Sequence, residues 1–170
     1  MSKSATGAES ALEPARITDI VLEVAIAADP GAVWNALTSD IGQWWPRPFY
    51  CGGGTAAEPR FELEAFPGGR MWEDWGDGDG LLWAHVLQVQ TGKRLELTGT
   101  TSPAWGGPTT WFGTFELSAD GSGTRLRFSE SGFGRVSEGA AEEKEKGWRY
   151  LFGGVLKAHC EGRAAPEWED

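Results

Sequence analysis

Between Phe61 and Ser131 the chain repeats one pattern, short runs of alternating apolar and polar residues, most of them closed by a glycine-containing turn. A period of two sends successive side chains to opposite faces of a strand, and turns this short join neighbours as antiparallel hairpins. The runs are Phe61 to Ala65, Arg70 to Trp75, Leu81 to Gln90, Lys93 to Thr100, Thr109 to Leu117 and Thr124 to Ser131. Pro67-Gly68-Gly69, Gly76 to Gly80, Thr91-Gly92 and Ser118 to Gly123 read as turns, and Thr101 to Pro108 as a longer loop. Six strands in a meander follow. The chain also holds ten Trp and 25 Gly. Large flat side chains to wall a core, with many positions free to bend, suit a curved sheet better than a helical bundle.

The flanks complete the order of elements. Ile20, Leu22, Val24 and Ile26 alternate against Asp19 and Glu23, a further half-buried strand. Asp29-Pro30 reads as an N-cap and first helical residue, with Val33, Trp34 and Leu37 at helical spacing up to about Thr38. Ser39-Asp40 then caps a second short turn, Ile41 to Trp45, which Pro46 and Pro48 stop because proline lacks the next donor. Tyr50 to Pro59, with three consecutive glycines, is expected to be a long loop. From about Ser137 to Gly162, Trp148, Leu151, Phe152, Val155, Leu156 and His159 recur at threes and fours, the apolar stripe of one long helix. Glu138, Glu142 and Glu143 complement its positive end, and Lys157, His159 and Arg163 its negative end. The chain is expected to hold a single domain over 16–163, with a disordered tail at 1–15 and a short tail at 164–170.

A formal net charge of −10 with no offsetting cluster of Lys or Arg repels phosphate backbones and anionic headgroups. Nucleic acid and membrane surfaces are therefore poor partners. No apolar run is long enough for a membrane span, and the opening residues lack the pattern of a signal peptide, so a cytoplasmic protein is expected. Cys51 and Cys160 are far apart and form no CxxC, which reads as two unrelated reduced thiols.

The order strand, two helices, six strands, long helix resembles the helix-grip superfamily, often labelled SRPBCC, which includes START domains, the birch-pollen-allergen fold and polyketide cyclases. The segments AADPGAVW from Ala27 to Trp34, Asn35 to Leu37, Trp44-Trp45, FELEAFPGGRMW from Phe61 to Trp72, Lys93-Arg94-Leu95 and Gly147-Trp148 narrow the likeness. They resemble the bacterial branch related to the C-terminal domain of the ATPase activator of the ninety-kilodalton heat-shock protein. The resemblance spans about 17–162. It implies an α+β fold, a curved antiparallel sheet of about seven strands around the long C-terminal helix, with a cavity between them.

Trp72, Trp83, Trp111, Phe128, Trp148 and Phe152 are the candidate cavity walls, since flat aromatics bury large areas and stack on planar ligands. Plain core packing explains the same side chains. His85 lies mid-strand on the face expected for Trp83 and Leu87, a candidate general base or ligand donor, and equally a core or surface histidine. Glu130 ends a strand facing the loop before the helix, where a cyclase would place an acid; a surface carboxylate accounts for it as well. Glu73, Asp74, Asp77 and Asp79 cluster around a hairpin but match no calcium loop, and read as a solvated turn. Pro67 to Arg70 lacks the ending and context of a P-loop, and no GxSxG, HExxH or metal-ligand spacing occurs. No metal and no cofactor are expected.

Three functions follow. The first is binding or carriage of a small apolar or amphiphilic molecule, entering near the Tyr50 to Pro59 and Thr101 to Pro108 loops. The second is a cyclase- or aromatase-type enzyme using the same cavity, with His85 or Glu130 moving protons. The third is a stress-related partner of the heat-shock chaperone. Edge strands and tryptophans such as Trp105 leave a homodimer open.

Overall fold

The computed structural model describes residues 14–52, 59–105, 107–136 and 139–168. Most of the tail expected at 1–15, the centre of the glycine loop, Glu138 and the side chain of Trp105 lie outside them. The chain runs β1 (Arg16–Ile26), α1 (Pro30–Leu37), α2 (Ile41–Trp44), then β2 (Arg60–Leu63), β3 (Arg70–Gly76), β4 (Asp79–Gln90), β5 (Arg94–Thr101), β6 (Thr109–Asp120) and β7 (Gly123–Gly134). A C-terminal helix follows in three segments, α3 (Ala140–Trp148), a π-helical stretch Arg149–Leu156 and α4 (Lys157–Cys160). All seven strands pair antiparallel in the order β1-β7-β6-β5-β4-β3-β2. The meander therefore closes on the first strand, which pairs with the last, and this is the expected helix-grip sheet.

Local chemistry explains most boundaries. Asp29 caps α1 by accepting from the N–H groups of Gly31 (2.9 Å) and Ala32 (3.1 Å), with Pro30 at the first helical position. The expected cap of α2 is absent, because Asp40 accepts from the Ser39 hydroxyl instead. The six-residue turn expected at Ser118 to Gly123 shrinks to two residues. Gly121 takes φ of 61°, which permits a tight turn, and the β6–β7 ladder runs on to Asp120 opposite Gly123.

One face of the sheet holds Ile20, Leu22, Leu95, Leu97, Phe115, Leu126 and Phe128, and the helix packs Leu151, Phe152, Val155 and Leu156 against it. Burial of each such side chain stabilises the fold by about 1.5–3 kcal/mol, enough in sum to do without a crosslink; Cys51 and Cys160 are both free thiols. The expected apolar stripe of the helix holds through Leu156 and then breaks. Hydrogen bonding of the π type over Arg149–Leu156 widens the turn, and beyond it Ala158 is buried while His159 is exposed. No helix among the described residues is long and apolar enough to cross a membrane.

Strand β4 departs most from simple alternation. Trp72 pairs with Leu82 and Met71 with Ala84, so Trp83 is an extra residue bulged out of the ladder, and a second irregularity falls between Val86 and Gln88. A bulge inverts parity along the strand. Trp83 and Ala84 consequently both turn toward the helix, and His85 turns away.

Candidate functional site

The site lies where β4, β5 and β6 meet the start of the C-terminal helix. Trp111 on β6 pairs across the ladder with Gly99 of β5 and Gly132 of β7. A Cβ at Gly99 would fall 2.4 Å from Trp111 Cζ2 and 2.4 Å from the Trp83 carbonyl oxygen, so glycine there lets the indole lie across the sheet. Trp148, at the end of α3, approaches from the helix side.

Two buried carboxylates hold the indoles in place. Glu73 on β3 is fully buried, and its Oε1 accepts from Trp83 Nε1 (2.8 Å) and the Cys51 backbone N–H (2.7 Å). Its Oε2 accepts from Trp75 Nε1 (2.8 Å) and the Gly52 backbone N–H (3.2 Å). Four donors converge on one side chain that no described Lys or Arg pairs with, so N–H groups alone satisfy both of its oxygens. Glu130 on β7 is 2% exposed; its Oε2 accepts from Trp148 Nε1 at 3.0 Å, and Lys144 Nζ lies 2.6 Å from its Oε1. Lys144 stands one turn ahead of Trp148 on α3, and its ammonium is 5.6 Å from the centre of the Trp111 ring.

These groups frame a cavity of about 400 Å³ walled by Leu81, Trp83, Trp111, Trp148, Lys144 and Cys51, with Thr100, Thr101 and Ser102 at its edge. A second cavity of about 270 Å³ lies against β1, β7 and α3, and Thr101, Trp111 and Lys144 line both. Neither carboxylate lines either space. The indole N–H groups of Trp83 and Trp148 are used by Glu73 and Glu130, which leaves ring surface as the wall. Burial, then the charge of Glu73, pushes the Cys51 thiol up to about 11, so this cavity-lining sulfur stays protonated at neutral pH.

The aromatic candidates divide into three groups. Trp83, Trp111 and Trp148 line the cavity; Phe128 and Phe152 sit beneath it, 5.5 Å and 5.4 Å from the Trp148 ring, as buried packing. Trp72 and His85 lie on the outer face. Trp72 alternates with inward Met71 and Glu73 and carries the Arg70 guanidinium 4.6 Å above its ring, while His85 is exposed opposite Arg70 and Thr98. The expectation that His85 shares a face with Trp83 fails because of the bulge at Trp83. Glu130 is no surface carboxylate. The acidic hairpin also splits, since Glu73 is buried while Asp74 pairs with Arg60 and the N–H of Gly76, and Asp77 and Asp79 are exposed.

Sequence reading missed Glu73 as an inward residue, and Lys144 altogether. Both had a signal: Glu73 shares parity with Met71, and Lys144 precedes Trp148 by four residues, which places it on the apolar stripe.

Known proteins share this architecture. The solved structure of a Mesorhizobium loti protein is 26% identical, covering 86% of this chain and 98% of its own, with a TM-score of 0.62. The Aha1 dimer of Colwellia psychrerythraea is 20% identical, with 84% and 96% covered and a TM-score of 0.56. CalU16 from Micromonospora echinospora is 18% identical, with 90% and 86% covered and a TM-score of 0.59. At these identities the likeness is one of fold. No curated protein matches the sequence. The family described as Activator of Hsp90 ATPase homolog 1-like protein matches residues 27–161, most of the chain, and the chain belongs to that family.

Proposed function

We propose that the protein binds a small apolar or amphiphilic molecule in the cavity between β4, β5, β6 and the C-terminal helix. The observation that carries this reading is the wall of Trp83, Trp111 and Trp148, three indoles around about 400 Å³ with two of the three N–H groups bonded behind them. A space of that size, apolar with a few polar groups at one edge, has the character of a small-molecule site. The space opens partly to solvent, so a ligand can reach the indole faces from outside.

Turnover has less support. His85, one candidate proton carrier, is on the outer face, and Glu130, the other, is sealed behind Trp148 and Lys144. Binding without chemistry is therefore the leading reading. Membership of the Hsp90-activator family supports one other, direct association with that chaperone, and a pull-down from purified components showing none would remove it.

Native mass spectrometry of the purified protein tests the binding reading. The expected result is a bound small molecule that organic extraction releases, and its loss from Leu81→Trp, which fills the cavity. Retention of the same adduct by Leu81→Trp would place it elsewhere. An apo mass together with no thermal shift from aromatic or fatty acids would sink the reading.

A further inference from the structure

We propose that the ligand carries an oxyanion, such as a carboxylate or phenolate, and that Lys144 receives it; this rests on the cavity reading above. The wall offers a ligand few open polar groups, the Trp111 N–H among them. The N–H groups of Trp83 and Trp148 already donate to Glu73 and Glu130, so neither is free to bind. Cys51 holds its proton, and Thr100, Thr101 and Ser102 offer only neutral hydroxyls at the edge. Lys144 is the one charged side chain among the described residues of the wall.

The accessible charge at the site is positive although the pair is neutral. The side chain of Glu130 is 1% exposed and that of Lys144 is 37% exposed, so a molecule in the cavity meets the ammonium and not the carboxylate. Lys144 Nζ pairs with the nearer Glu130 oxygen at 2.6 Å by charge, without hydrogen-bond geometry, so its three N–H donors stay available to the cavities that it borders. A ligand cation is disfavoured despite the aromatic walls, because Lys144 already stands 5.6 Å from the Trp111 ring and would repel it. The net charge of −10 slows the arrival of an anion without altering this local order. The inferred ligand therefore lays a flat apolar body on Trp83, Trp111 and Trp148 and points its oxyanion at Lys144 Nζ.

The test compares 2-naphthoate with its neutral isostere 2-naphthamide, titrated into the full chain and followed by calorimetry. In the unmodified protein the acid is expected to bind about tenfold tighter, ~1.4 kcal/mol. Glu130→Gln removes the competing charge while its amide oxygen can still accept from Trp148, and is expected to raise the preference for naphthoate over naphthamide several-fold. In Lys144→Met with Glu130→Gln, which leaves no unpaired buried charge, both probes are expected to bind alike. Equal binding of the two probes to the unmodified protein would overturn the inference and leave the cavity reading standing. An acid preference that survives in the double variant would also overturn it, and binding of neither probe would remove both.

Discussion

Glu73 accepts four N–H bonds, two from indoles and two from the backbone of Cys51 and Gly52, so it ties β3, β4 and the loop ahead of β2 to one point. Truncation would strand four donors, the Trp83 and Cys51 groups among them, at about 1 kcal/mol each where water cannot reach. Glu73→Ala should therefore cost about 3–5 kcal/mol in urea denaturation. Glu73→Gln keeps one acceptor oxygen and should cost about 1–3 kcal/mol. An equal and small loss in both would mean that the loop relaxes to let water in. Cys51 reports on the same group. Its thiol, pushed up to about 11 by burial and then by Glu73, should alkylate with iodoacetamide at pH 8 far more slowly than the unfolded chain, by up to about a hundredfold. Glu73→Gln should recover part of that rate. A native rate equal to the unfolded one would show the sulfur to be open to solvent.

Among the elements, the C-terminal helix is the most irregular, and its π-helical stretch contains the pair Gly153-Gly154. Glycine costs a helix about 0.8–1 kcal/mol relative to alanine, so each is a candidate for stabilisation unless its surroundings forbid a Cβ. The surroundings differ. A Cβ at Gly153 would meet Val24 Cγ2 at 3.9 Å, an ordinary contact, whereas at Gly154 it would meet Pro166 Cγ at 2.9 Å. Gly153→Ala should raise stability by about 0.5–1 kcal/mol, read as a rise in thermal midpoint. Gly154→Ala should gain nothing or lose stability, because Pro166 must shift. The reverse order would mean that the π-helical register itself depends on Gly153. Neither the register nor the exposure of His159 was legible in the sequence, where the spacing of three and four continues unbroken from Trp148 to His159. Hydrogen bonding of the π type is decided by packing against the sheet, which no local pattern records.

For the whole molecule, the order of elements was legible because each strand carries its own period and each turn its own glycine. The site was not. Its geometry depends on the bulge at Trp83, which inverts the parity of β4 and separates His85 from the cavity, and on Lys144 and Glu73, charged residues that alternation and helical spacing place inside but that composition places outside. Partial burial of two thiols and a tyrosine also shapes stability against pH. Burial first, then Glu73 for Cys51 and Glu161 for Cys160, raises both thiols to about 11, and burial raises Tyr50 as well. A raised pKa means that the fold favours the protonated form. The contribution is thus complete below the ordinary thiol value near 9 and is lost as pH climbs through about 11. Both thiols are only partly buried, so screening reduces their worth to about 1 kcal/mol each. Urea midpoints should hold steady up to about pH 9 and then fall across the next two pH units, by a loss of about 2 kcal/mol from the thiols. The variant Cys51→Ala with Cys160→Ala should flatten most of that slope and keep the smaller part due to Tyr50. A slope unchanged in that variant would show that other groups govern the alkaline limit and that the two sulfurs are freely solvated.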